Sequence, residues 1–164
     1  MIYVVTVKPG GASPELDAAA ALRRAGYEAH VPRALRRYRK GKEHYYTAEV
    51  MFDGYVFVSL PAELSAEDYY KIRAVRLVGN FLSRKSSLSD SEEEYIAVMC
   101  RDPKGIGVSS GYIKDGKLIV TDGWLKRFAD RIVKYSVRQH KATVEIPIYG
   151  IPHRITCTID IDRT

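Results

Sequence analysis

Two hydrophobic periods divide the chain. From about residue 105 onward, apolar side chains recur at nearly every second position, the period of a half-buried strand. In ATVEIPI, Ala142, Val144, Ile146 and Ile148 face one way, and Thr143, Glu145 and Pro147 face the other. In ITCTIDI the inward set is Ile155, Cys157, Ile159 and Ile161. GYIKDG, KLIVTDG and RIVKYSV complete a series of short strands with glycine-containing breaks, which predicts a small all-β barrel or sandwich of about 60 residues. Pro147 falls in the outward set, so its strand should be an edge there.

The first hundred residues mix the two periods. IYVVTV (2–7) has the β-branched richness of a buried strand. A helix follows the loop KPGGASP: Ser13 is placed to cap it, Pro14 takes its first position, and Glu15 and Asp17 suit its N-terminal dipole. Arg23 and Arg24 sit in its last turn and Gly26 stops it. YEAHVP (27–32) reads as a strand, and RALRRYRKGK (33–42) as a basic loop with Gly41 at its tip. YYTAEVMF and GYVFVSL then read as two strands about a tight turn at Asp53-Gly54. Ser65 and Asp68, and again Ser89 and Glu92, have capping-box spacing and open two more helices. Asp102-Pro103-Lys104-Gly105 resembles a linker. The organisation is therefore α+β: an α/β sandwich over 1–102, a linker at 103–107 and a β-barrel over 108–164.

Composition narrows the function. An apolar fraction of 46% and an aromatic fraction of 10% belong to a folded protein. No run of 18 apolar residues occurs, and MIYVVTV reads as a first strand and not as a signal peptide. Cys100 and Cys157 lie far apart, and buried thiols in a cytoplasmic protein are the expectation. The net charge is +6, but residues 1–103 hold 15 Lys+Arg against 14 Asp+Glu, and residues 104–164 hold 11 against 6. The block 33–42 alone has six basic residues and no acid. A polyanion such as nucleic acid suits this distribution; a solvated surface loop is the bland alternative. His30, His44, His140 and His153 sit at no metal-ligand spacing, Cys157 alternates with the core face, and no phosphate-binding glycine loop occurs. The sequence predicts a binding module with no catalytic residues, no cofactor and no metal.

The stretch FDGYVFV (52–58) has two apolar faces, Val56 and Val58 on one, Tyr55 and Phe57 on the other. With its surroundings it resembles the NusG family of transcription elongation factors. YVVTV, a helix ending in RRAG, YEAHVP, a basic loop, FDGYVFVSL, a helix, VGNFL and SLSDSEE follow in the order of that family's N-terminal domain. KLIVTDGWLKRFADRIVKYSVRQHKATVEI resembles the KOW motif, with Gly123 at the motif's central glycine. Asp53 stands where the family usually has proline. Trp124, Arg127 and Asp130 stand where the KOW pattern has Pro, Gly and Gly. The KOW departures point away from a housekeeping member, and DRIVK followed by a basic stretch with His140-Lys141 is similar to specialised paralogs of the LoaP type, which act on selected operons.

The resemblance implies an antiparallel sheet flanked by helices, joined to a five-stranded SH3-like barrel, in a monomeric factor without covalent chemistry. The factor would bind the clamp helices of the largest catalytic subunit of RNA polymerase and suppress pausing and termination. The matching contact positions are Tyr55 and Phe57, with Phe52, Phe81, Leu82 and Leu88 around them; the alternative is that all six are core. Arg33, Arg36, Arg37, Arg39, Lys40 and Lys42 would lie near upstream or non-template DNA, through phosphate contacts that read no sequence. Around the KOW turns, Lys126, Arg127, Lys134, Arg138, His140 and Lys141 would meet RNA, such as a leader hairpin. A ribosomal protein or Rho is the partner of ordinary members. The other reading is an RNA-binding or ribosome-associated KOW protein that does not act on polymerase.

Overall fold

The computed structural model describes residues 1–102 and 105–162. Pro103 and Lys104 of the expected linker, and the last two residues of the expected barrel, lie outside the described residues. In chain order the elements are β1 (Ile2–Val7), α1 (Pro14–Arg24), β2 (Glu28–His30), β3 (Arg33–Lys40), β4 (Glu43–Val50), β5 (Tyr55–Ser59), α2 (Ala66–Arg73), β6 (Val78–Phe81) and α3 (Asp90–Met99). Then come β7 (Ser109–Lys114), β8 (Lys117–Asp122), a 3-10 helix (Trp124–Arg131), β9 (Ile132–Ser136), β10 (Lys141–Ile148) and β11 (Ile151–Asp162). They form two compact units that do not follow chain order. The first unit is Met1–Val31 with Phe52–Cys100, and the second is Pro32–Met51 with Arg101–Thr164. A division by chain order at 102 assigns the β3–β4 hairpin to the N-terminal part, whereas its contacts put it with the C-terminal strands.

The first unit is built on an antiparallel sheet of order β2-β5-β1-β6. Tyr3 and Val5, Val56 and Val58, and Val78 and Phe81 cover one core with Ala18, Ala19 and Leu22 of α1 and Tyr69 and Ile72 of α2. Ile2, Val4 and Phe57 on the other face are buried outside that cluster, as are Ile96 and Met99 of α3. Helix α1 starts at Pro14 with Glu15 and Asp17 in its first turn, but the Ser13 side chain makes no capping bond. Ser65 does cap α2, accepting the Asp68 N–H at 3.1 Å. Ser89 and Glu92 close a reciprocal box on α3, each backbone N–H donating to the other's side chain at 3.3 Å.

The basic block 33–42 is not a loop. Its residues alternate along β3 and pair with β4 in register from Arg33↔Val50 to Lys40↔Glu43, with Gly41 in the turn at φ +64°. Charge made the segment look like a loop, yet two long strands can solvate charged side chains on their faces as well as a loop can. The turn at Asp53-Gly54 consequently joins no hairpin, since β4 pairs with β3, and β5 with β1 and β2. The hairpin is pinned inside the second unit. Ile106 N–H donates to Arg33 O at 2.7 Å and Leu35 N–H to Ile106 O at 2.8 Å. Gly105 permits this approach: its φ is +100°, and a Cβ there would lie 2.9 Å from Arg33 O.

The second unit's five-stranded sheet has the order β8-β7-β11-β10-β9, antiparallel except for the parallel β7–β11 pair. The expected barrel is not closed: its end strands β8 and β9 are not paired with each other among the described residues. They are joined by the 3-10 helix and not by a tight turn, and its Leu125 and Phe128 are buried. The inward set predicted by alternation is buried throughout β10 and β11, from Ala142 to Ile148 and from Ile155 to Ile161. Pairing of β9 to β10 ends at Val144, so β10 is an edge at Pro147 on that side.

Candidate functional site

The aromatic stretch that suggested a docking surface divides in the structure. Phe57 is fully buried, opposite Val4 on β1, with Phe52 edge-on at 5.4 Å. Phe52 and Leu88 are 3% exposed. Phe81 is buried on the opposite face, with Tyr69 stacked at 5.4 Å and Tyr3 edge-on. These four side chains are core, and they do not share one face. The sequence offered apolar residues on both faces of β5, and the structure covers both. Tyr55 remains half-buried and Leu82 is 40% exposed. Leu82 follows β6 and donates its N–H to Val4 O at 2.9 Å, so it shares the Tyr55–Phe57 side of the sheet.

The six basic hairpin residues are split by the pleat. Arg36 and Lys40 share a face with Tyr38, Tyr45 and Glu49; Arg33, Arg37 and Arg39 lie on the other with Tyr46 and His44. Lys42 is exposed beside the turn. On the first face Glu49 organises its neighbours, accepting the Tyr38 hydroxyl and lying 3.7 Å from Arg36. The Tyr38 and Tyr45 rings stack at 5.6 Å. On the second face Arg39 Nε donates to Gly41 O at 2.7 Å. Desolvation, then Arg37, Arg39 and His140, hold the His44 ring below its usual pKa, favouring the neutral imidazole.

The basic residues predicted around the KOW turns are only partly brought together. Lys134 and Lys141 line a cavity of about 300 Å³ with Tyr135, Ser136, Gln139, Thr143 and Thr156, and Arg36 of the hairpin joins them there. Arg138 and His140 flank it on the β9–β10 turn; His140 Nδ1 is 3.3 Å from Asp160 Oδ1, an ion pair when the ring is protonated. Lys126 and Arg127 are exposed on the 3-10 helix and are not among the cavity's lining residues. The Arg36 contribution was not foreseen. Its only sequence signal was the period-2 spacing of Ala34, Arg36 and Tyr38. Both thiols are raised by burial, Cys100 to about 11 and Cys157 further, so neither is a ready nucleophile at neutral pH.

The spatial partition also concentrates charge. The first unit holds 8 Lys+Arg and 11 Asp+Glu, a net of −3; the second holds 18 and 9, a net of +9; together they recover the chain's +6. Among the described residues no helix is long and apolar enough to cross a membrane. No curated protein matches the chain. The family model described as NusG, transcription termination factor nusG, matches residues 3–98. That span covers the first unit's sheet and its three helices, short of Ile2 and Met99 at the two ends, as well as the basic hairpin. With more than half its length matched, the chain belongs to the NusG family, whose members are RNA polymerase-binding factors of transcription elongation and termination.

Proposed function

We propose that this protein is an antitermination and processivity factor of the specialised, LoaP-like kind, recruited to selected transcripts by RNA. Its first unit docks on the clamp helices of polymerase through Tyr55 and Leu82. Phe52, Phe57 and Leu88 support that surface from within, and Phe81 packs in the core on the other face of the sheet. The outer hairpin face, with Arg33, Arg37 and Arg39, and Lys42 at the turn, runs along upstream or non-template DNA by phosphate contacts. The second unit engages a leader RNA.

The observation that carries the reading is the charge partition within a NusG-family chain: −3 on the first unit and +9 on the second. A protein partner such as a ribosomal protein or Rho, held by apolar contacts, does not require that excess, whereas a nucleic-acid partner gains affinity from it by counterion release. The test is multi-round transcription in vitro through an intrinsic terminator, on templates with and without candidate leader hairpins upstream. Readthrough that rises only on a leader-bearing template is the expected result. Equal termination with and without the factor on every template overturns the proposal. RNA binding without any effect on polymerase would support the ribosome-associated alternative instead.

A further inference from the structure

We infer that the β3–β4 hairpin and the outer face of β9–β10–β11 form one recognition site for a single-stranded RNA nucleotide. Its phosphate lies between Arg36, Lys134 and Lys141, and its base lies on the Tyr38–Tyr45 pair. This deepens the RNA-recruitment reading above and rests on it.

The sheet register builds the cavity. Thr143 stands opposite Lys134 on β9 and Thr156 on β11; two residues along β10, Lys141 stands opposite Ser136 and Thr158. Residues directly opposite share a face, so these six form two rows on one surface. Thr158 Oγ1 donates to Leu35 O at 2.8 Å, which lays β3 along that surface. The next residue, Arg36, completes the cavity wall. Three cations thus converge from two segments about a hundred residues apart, with Glu49 as the carboxylate that holds Arg36. A cavity of about 300 Å³ is at the small end for a ligand site and suits a phosphate with its sugar better than a large ligand.

The stacked tyrosines extend the site beyond a phosphate. Tyr38 is two residues from Arg36 on the same face, about 7 Å along a strand, which is the reach from a phosphate to its own base. Tyr45 is 48% exposed, leaving ring surface for stacking. Glu49 orients Arg36 and Tyr38 together, so phosphate and base subsites are set by one carboxylate. The remaining lining also distinguishes the nucleic acid. Phosphate needs only donors, but Ser136, Gln139, Thr143 and Thr156 supply acceptors as well. Those acceptors are what a ribose 2′-hydroxyl requires and a deoxyribose cannot use.

The test is fluorescence anisotropy with the full chain, using a labelled 12-nucleotide oligoadenylate and the DNA of the same sequence. The RNA is expected to bind several-fold more tightly than the DNA; equal binding overturns the assignment to RNA. Arg36→Ala and Lys134→Ala should each weaken RNA binding by about tenfold, as loss of a charged hydrogen-bond partner does. The double variant should lose less than the product of the two, because both hold one phosphate. Tyr45→Ala should weaken binding by at least about fivefold and Tyr45→Phe should not, since stacking needs only the ring. Lys85→Ala, in the first unit, is the neutral control, and Arg36→Lys keeps the charge should Arg36→Ala misfold. If Lys134→Ala and Lys141→Ala weaken binding while Arg36→Ala does not, the composite site is wrong and RNA recruitment by the strands survives. If the wild-type chain binds neither oligonucleotide, the single-stranded site is wrong, while the recruitment reading stands or falls separately on readthrough from leader-bearing templates.

Discussion

Replacing Phe57 by alanine should destabilise the first unit by about 3–5 kcal/mol, the usual range for removing a fully buried aromatic ring. About 1 kcal/mol of that belongs to the edge-on contact with Phe52 at 5.4 Å. The remainder is lost transfer energy plus the cavity left opposite Val4, which the surrounding strands cannot collapse to fill. Against a typical total of roughly 5–15 kcal/mol, the loss takes about a fifth or more of the unit's stability. The protein offers two independent probes. Among the described residues all three α-helices lie in the first unit, so helical circular dichroism in urea reports that unit, and Trp124 fluorescence reports the second. Phe57→Ala should move the circular dichroism midpoint and leave the fluorescence midpoint in place. Tyr55→Ala and Leu82→Ala should move neither by more than about 1 kcal/mol, as suits incompletely buried side chains, while abolishing co-purification with polymerase. A Phe57→Ala chain of unchanged midpoint that no longer binds polymerase would refute the burial argument and return Phe57 to the surface.

Three further outcomes follow from local geometry. Tyr27, whose hydroxyl donates to Asp68 Oδ1 at 2.8 Å, has its pKa raised from 10.0 to about 12 by burial and by that carboxylate. The folded state keeps the proton that the unfolded chain gives up, so this stabilisation is complete below pH 10 and disappears as pH rises towards 12; urea titrations of wild type and Tyr27→Phe across that window should converge. Gly123→Ala should cost roughly 2–3 kcal/mol, because φ is +93° and the new Cβ would lie 2.6 Å from Ser109 Cα; the fluorescence midpoint should fall with the helical signal unchanged. Ser89→Ala removes a reciprocal cap and should cost about 1 kcal/mol, read from the helical signal.

Alternation was a sufficient guide wherever a strand had one wet face. The inward positions of β10 and β11 and the edge at Pro147 could be read from residue spacing, and the need for glycine at 123 from the resemblance to the KOW motif. Alternation failed at β5, where both faces are covered: Tyr55 and Phe57 differ in burial although they point the same way, and nothing in a two-residue spacing says how far along the strand the cover extends. It also failed at β3, because five cations masked a period-2 pattern that Ala34 and Tyr38 still carry. Ser13 had the right identity and position for a cap and makes none; its backbone, at φ −141° and ψ 74°, differs from the extended conformation in which Ser65 and Ser89 cap their helices.

The misreading of β3 hid the larger feature. Summed along the chain, the basic excess looks like a neutral half and a basic half with a stray cluster in the neutral one. Summed over what touches what, the cluster and the basic half are the same object, and the rest of the chain is acidic. A hairpin inserted between β2 and β5 need not serve the sheet that surrounds it in sequence, because the closure of its 20 residues adds only a logarithmic entropy cost. Its charges gain most where they add to an existing field, since counterion release grows with each phosphate neutralised by the same bound strand. That is the physical reason to treat Arg36 with Lys134 and Lys141, and to expect that fragments cut at residue 102 separate residues that bind together.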